Sequence, residues 1–357
     1  MTETEMIPSQ LLLLVGLVLQ CTAHPHPEYE VSDTVPDRHL LLSEPIISGN
    51  GSWRYQYMPE LLQLPESVHV KNAHGVTKDR DGNIYFTYEP VNITEDTRVL
   101  VRFAPDGTSA QLLGKDNSLA FGTPHGLRIS YEKDGPYLYH ANNDATVHKT
   151  TLEGDIVWTN NATDAWKGTK FWPFKPTDAV VPDGSDRVYV GDGYGSSFIH
   201  ELNITDGSYS GLTFGGHGND TLPQQFNCPH GVGWDDVNEQ LVVSDRGNNR
   251  LQYVEEDGAH VKTVPMATGT ERAAAGTQPC NVHLEGDVAV VPGLDGPVGI
   301  MDRQNMTVLS VLEVGQLLGP MGCVHPHDAI FLDNHDVIVC CWNPGFLSYW
   351  KRLPASE

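Results

Sequence analysis

Three histidines carry the first chemical signal. His125 stands in FGTPHGL, His230 in FNCPHGVGW and His327 in HPHDAIFLDN, about a hundred residues apart. Each follows a proline and opens a short apolar stretch. Three neutral imidazoles brought to one point make a metal site that keeps a position open for water or substrate. Zinc is the first choice for such a set, with iron and copper as the alternatives. Proline–histidine–glycine is also good turn chemistry, because proline fixes φ and glycine relaxes the backbone. One such histidine would be ordinary; three at equivalent points of a repeat ask for a shared cause.

The repeat is what must bring them together. Its anchors fall at His74, His125, Thr177, His230, Cys280 and His327, a period of about fifty residues. The phrases run HGVTKDRDGNIYFTY, PHGLRISYEKDGPYLYHAN, PTDAVVPDGSDRVYVGDG, PHGVGWDDVNEQLVVSDR, the weaker PCNVHLEGDVAVVPG, and PHDAIFLDNHDVIVCCW. Each holds an apolar stretch, a polar turn and a second β-rich stretch, often followed by a third such as NRLQYVEEDG. Such runs between turns predict antiparallel strands. Six copies predict an all-β chain folded as a six-bladed β-propeller over residues 49–353. About three strands' worth of chain follows His327, so the last blade is expected to be closed by an N-terminal strand between Trp53 and Met58. No segment reads as a long amphipathic helix. In a propeller, alternate units are related by a third of a turn. His125, His230 and His327, from units two, four and six, would converge on the axis. His74 shares their register in unit one and is an additional candidate.

Composition bounds the partners. The 357 residues hold 22 Lys and Arg against 46 Asp and Glu, a net charge of −24. That surface repels phosphate backbones, which excludes nucleic acid as a partner. Leu11 to Leu19 reads LLLLVGLVL, too short to span a bilayer, and Cys21, Thr22 and Ala23 follow it. Residues 1–23 therefore read as a signal peptide, 24–48 as an extension, and the protein as secreted without a membrane span. Secretion gives meaning to the glycosylation sequons at Asn50, Asn92, Asn161, Asn203, Asn219 and Asn305. The remaining cysteines are Cys228, Cys280, Cys323, Cys340 and Cys341, an odd number that leaves at least one thiol unpaired within the chain. Cys340 and Cys341 on one strand would point to opposite faces and should not bond each other.

Taken together, FGTPHGL, FKPTDAVV, VYVGDGYGSSFI, FNCPHGVGW, VVSDRGNNRLQ and HPHDAIFLDN resemble, in order and spacing, the peptidyl-α-hydroxyglycine α-amidating lyases among the NHL-repeat propellers. The resemblance covers residues 70–352 and is weakest between about 255 and 320. It implies a zinc-dependent lyase that cleaves a C-terminal hydroxyglycine to a peptide amide and glyoxylate. Zinc would sit on His125, His230 and His327. A structural calcium would sit on Asp328 and on carbonyls near Val76 and Leu127. The catalytic tyrosine would be Tyr194, in GDGYGSS, and a substrate-binding arginine Arg246, in SDRGNN. A small peptide would be the substrate, and a hydroxylating monooxygenase would have to supply it.

The chain departs from that family in places. A second arginine is expected on the second strand of the first unit, where NIYFTYEP offers Thr87 and Tyr88. His325 stands two before the last histidine, where the family commonly has Met. His74, His325 and Tyr88 are therefore further candidates for the pocket. Two alternatives to the lyase stand: a metalloenzyme of the same fold acting on another substrate, and an extracellular scaffold without catalysis. Bound metal separates an enzyme from a scaffold, which has no use for converging imidazoles.

Overall fold

The computed structural model describes residues 44–161, 166–219 and 224–355. The signal-peptide expectation for residues 1–23 lies outside them. Six antiparallel sheets follow one another along the chain. Blade one runs Val70–Lys78, Ile84–Pro90, Leu100–Phe103 and Ala110–Leu113; blade two begins at Pro124–Glu132, blade three at Asp178–Val180, blade four at Pro229–Asp235 and blade five at His283–Glu285. Each of these is a four-stranded meander. Blade six takes Pro326–Phe331, Val337–Cys341 and Phe346–Arg352, then pairs the last of them with Trp53–Tyr57, which in turn pairs with Ile47–Asn50. Two N-terminal strands thus cover the final blade, giving five strands. Ser48 Oγ accepts the Glu313 N–H, and Asn50 N–H donates to Ser310 Oγ, tying that hairpin to blade five. Covering open edges in this way removes a template for aggregation.

The core lies between adjacent blades. Phe86 and Val101 of blade one pack with Ile338 and Tyr349 of blade six, and Val290 and Ile300 of blade five pack with Val339 and Trp350. Strands such as Val288–Pro292 are buried along their whole length, because both faces meet a neighbouring blade. Aspartates close the hairpins: Asp79 accepts the N–H of Asp81 and Asn83, and Asp235 those of Val237 and Asn238. The helix Val314–Gly322, broken at Gly319, lies in the connection to blade six. No helix among the described residues is long and apolar enough to cross a membrane. Cys323 is disulfide-bonded to Cys341, while Cys228, Cys280 and Cys340 are buried thiols.

Up-and-down strands fix what the mouth of the channel contains. An innermost strand begins at the same end where the second strand finishes. The anchor residues, and the loops after the second strands, therefore share one end.

A candidate metal centre at the channel mouth

Each histidine anchor sits at a β-bulge. The register between the first two strands shifts between Ala73 and Gly75, Pro124 and Leu127, Pro229 and Gly231, and Pro326 and Asp328. A bulge re-aims the side chain it carries, and here the rings of four histidines meet. Ring centroids of His125, His230 and His327 are 4.6–4.8 Å apart. His74 lies 4.6 Å from His125 and 4.9 Å from His327. All four are buried.

Three of the four are locked the same way. Nδ1 of His125 meets the Thr177 carbonyl at 2.7 Å, that of His230 the Cys280 carbonyl at 2.8 Å, and that of His327 the His74 carbonyl at 2.9 Å. Every acceptor is the anchor residue of the next blade. A carbonyl accepts only, so Nδ1 must carry the proton and Nε2 keeps its lone pair. That is how an imidazole is oriented to bind a metal. For His125 and His230, the glycine after the histidine permits the approach. A Cβ on Gly126 would stand 2.5 Å from the Thr177 carbonyl oxygen, and one on Gly231 2.7 Å from that of Cys280. The glycine of PHG thus serves close packing between blades.

The free lone pairs have few partners. Nε2 of His125 and of His327, and both ring nitrogens of His74, are buried without a hydrogen bond. Ligand nitrogens of His74, His125 and His327 lie within 4.8 Å of one another. His230 Nε2 instead accepts from the Tyr194 hydroxyl at 3.0 Å. Two overlapping triads therefore share His125 and His327: one completed by His230 with its carbonyl lock, one by His74 without it. Burial holds His125 down at about 3 and His74, His230 and His327 well below the usual histidine value. The Arg246 charge adds to the effect. The imidazoles are neutral, the form that ligates metal.

Tyr194 and Arg246 come from the loops after the second strands of blades three and four. Asp192 shapes the first loop, accepting the N–H of Lys175 and of Ser196, both at 2.6 Å. Asp245 shapes the second, accepting the Asn227 N–H at 2.7 Å and the Arg250 Nε at 2.7 Å. Asp245 is thus paired with Arg250, and the buried Arg246 turns inward, its Nη2 donating to the Tyr194 hydroxyl at 3.2 Å. Burial pushes the Tyr194 phenol above its usual value, and the guanidinium pulls it back.

Other expected residues sit elsewhere. Tyr88 is a core residue: it stacks on Phe86, and its hydroxyl donates to the Arg98 carbonyl at 2.7 Å. Its expected place in the pocket is corrected accordingly. His325 meets the Leu294 carbonyl at 2.8 Å through Nδ1 and packs beside Trp342. Of the sequon asparagines, Asn50, Asn92, Asn161, Asn219 and Asn305 are exposed. Asn203 is half-buried, its amide engaged by Arg187 and Ser208.

The calcium implied at Asp328, Val76 and Leu127 does not fit. Val76 meets Asp328 through its amide N–H, 3.0 Å from Oδ2, while Oδ1 accepts from Asn281 Nδ2 and the Ala329 N–H at 2.9 Å each. The cation at this level is Arg128, whose Nη2 stands 2.9 Å from Asp178 Oδ2. Sequence reasoning missed Arg128, Asp178 and Asn281. The signal lay in the residue after each anchor, where Gly75, Gly126 and Gly231 give way to Asp178, Asn281 and Asp328.

Known proteins share parts of this picture. The peptidylglycine alpha-amidating monooxygenase of Rattus norvegicus is 27% identical over 189 residues, half of this chain but 18% of that protein. NHL repeat-containing protein 3 of Mus musculus is 32% identical over 149 residues, 38% of this chain and 40% of that one. The chain thus matches less than half the length of these relatives. Among solved structures, a gluconolactonase from Xanthomonas campestris superposes with a TM-score of 0.58 at 12% identity, covering 86% of this chain and 95% of that one, a likeness of fold. No protein-family model matches the chain.

Proposed function

We propose that this chain is a metal-dependent lyase that cleaves a C-terminal α-hydroxyglycine from a peptide, releasing the peptide amide and glyoxylate. The observation that carries the reading is the set of three imidazoles locked through Nδ1, with Tyr194 and Arg246 at its edge. The chemistry of the donors suits zinc on His125, His230 and His327. Such an ion, when bound, would lower the pKa of the substrate's hydroxyl.

The chain's own groups supply the rest. Arg246 offers a planar fork for the substrate carboxylate. Tyr194 lies between that arginine and the imidazoles; as a phenolate, which the charge of a bound cation and of Arg246 would favour against burial, its Oη would take the hydroxyl proton. The C–N bond then breaks, its electron pair passing to the amide nitrogen while the hydroxyl carbon becomes the aldehyde of glyoxylate. The nitrogen gains the proton that the hydroxyl lost, so the step needs no further reactant. Phe121, Trp172 and Met321, exposed in the connections that enter blades two, three and six, offer apolar surface at the same end for the peptide body.

The reading extends to a secreted, glycosylated protein whose substrate comes from a hydroxylating monooxygenase. Blade one favours a second reading, a different hydroxylated substrate for the same centre, since Thr87 and Tyr88 supply no second guanidinium. The test is to measure glyoxylate from α-hydroxyglycine peptides, with elemental analysis of the same sample. Bound metal with product supports the lyase. Bound metal without product rejects this reaction and leaves the second reading. A protein that holds no transition metal after gentle purification and reconstitution sinks both.

A further inference from the structure

Beneath the imidazoles lies a second ring of polar side chains. Asp178, Asn281 and Asp328 are each the residue after an anchor, on blades three, five and six, and all are buried. Asp178 Oδ2 reaches forward to accept the Val232 N–H of blade four at 3.0 Å, and Asp328 Oδ2 that of Val76 in blade one at 3.0 Å. Asn281 Nδ2 donates to Asp328 Oδ1 at 2.9 Å. Arg128 of blade two joins the two halves. It donates to Asp178 through Nη2 at 2.9 Å and Nε at 3.1 Å, and through Nη2 to Asn281 Oδ1. One guanidinium thus joins two short runs of hydrogen bonds into a single chain that touches all six blades.

We infer that Arg128 takes the part of a structural divalent cation in this propeller, holding Asp178, Asn281 and Asp328 together and so keeping the histidine layer in place without calcium. The connection to the imidazoles is short. Asp178 follows Thr177, and Asn281 follows Cys280, the residues whose carbonyls orient His125 and His230. Asp328 follows His327 itself. Arg128 is a positioning residue, three places after His125 on the same strand. The inference concerns the architecture and stands whether or not the reaction above is correct.

A buried carboxylate pair deprived of its cation is strongly destabilised. Arg128→Ser would leave a cavity lined by the oxygens of Asp178, Asn281 and Asp328, the donor type that calcium takes. The experiment follows thermal unfolding of the full chain while calcium is titrated in, with equal magnesium as the control for weak binding to the acidic surface. In the wild type, calcium is expected to shift Tm no more than magnesium does. Arg128→Ser in calcium-free buffer is expected to lose roughly 5–15 °C. Calcium should restore much of that loss where magnesium does not. Arg128→Lys keeps the charge and loses the fork; it should fold, lose less and ignore calcium. A wild-type Tm that rises with calcium and stops doing so in Asp328→Asn overturns the inference, as does an Arg128→Ser protein as stable as the wild type without calcium. If Arg128→Ser does not fold, the wild-type titration and Arg128→Lys decide: indifference to calcium supports the inference, dependence on it defeats it.

Discussion

The two sides of the channel mouth are built differently. On the side of blades three and four, aspartates at the ends of the second strands pull their loops into fixed shapes, and those loops present Tyr194 and Arg246 to His230. On the side of blade one, the second strand Ile84–Pro90 is buried along nearly its whole length; Tyr88 turns into the core, and Thr87 Oγ1 has no hydrogen bond. His74 shares its neighbours' register without their lock: its carbonyl serves His327, and its own ring nitrogens have no hydrogen-bond partner. Both sides carry a histidine, but only one side surrounds it with further polar groups from fixed loops. Converging rings do not by themselves define a site. The neighbouring blade must also fix each tautomer, and a loop must bring a second functional group.

The sharpest way to break this comparison is to remove one histidine from each side. His230→Ala is expected to lower metal affinity by at least about 100-fold, since even groups outside the ligand set commonly cost 10–100-fold. His74→Ala should keep the metal within about tenfold, because the three locked imidazoles remain. Competition titration against a chelator of known affinity measures both. The opposite order would assign the metal to His74, His125 and His327, the triad whose nitrogens lie within 4.8 Å of one another, and would make His230 a partner of Tyr194 alone.

The next largest effects belong to the loops of blades three and four. Tyr194→Phe should lower kcat by about 10²–10⁴ if the phenol moves the proton. The same variant should hold its metal, which separates a chemical role from a structural one. Arg246→Lys keeps a charge but loses the planar fork, and is expected to raise KM by about 10–100-fold with a smaller change in kcat. A KM unchanged in this variant would remove Arg246 from substrate binding.

The asymmetry explains what the sequence could and could not show. The repeat was legible because each blade must bury the same strand pattern, so the anchors recur at about fifty residues. That period put His125, His230 and His327 on one circle, whereas Tyr194 in GDGYG and Arg246 in SDRGN were named only through the family resemblance, since each stands in an ordinary polar turn. The acceptors of the Nδ1 protons were hidden, because they are backbone carbonyls of residues as unlike as Thr177, Cys280 and His74. Arg128 was hidden because its partners lie in other blades, 50 and 153 residues away. Tyr88 was misplaced because a strand buried on both faces shows no alternation from which to read its direction.

The smallest expected effect tests that last point. Tyr88→Phe removes one hydroxyl, whose bond to the Arg98 carbonyl is local to blade one. A hydrogen bond of this kind contributes about 1 kcal/mol. The carbonyl it leaves can turn to solvent, since Arg98 lies in a loop whose neighbours Asp96 and Glu95 are exposed. The ring itself stays on Phe86, so the packing survives. The variant should therefore unfold a few degrees lower at most, with metal content, kcat and KM all at wild-type values. A changed KM would mean that the hydroxyl reaches substrate after all, and the side of the mouth that lacks an arginine would have a recognition group of its own.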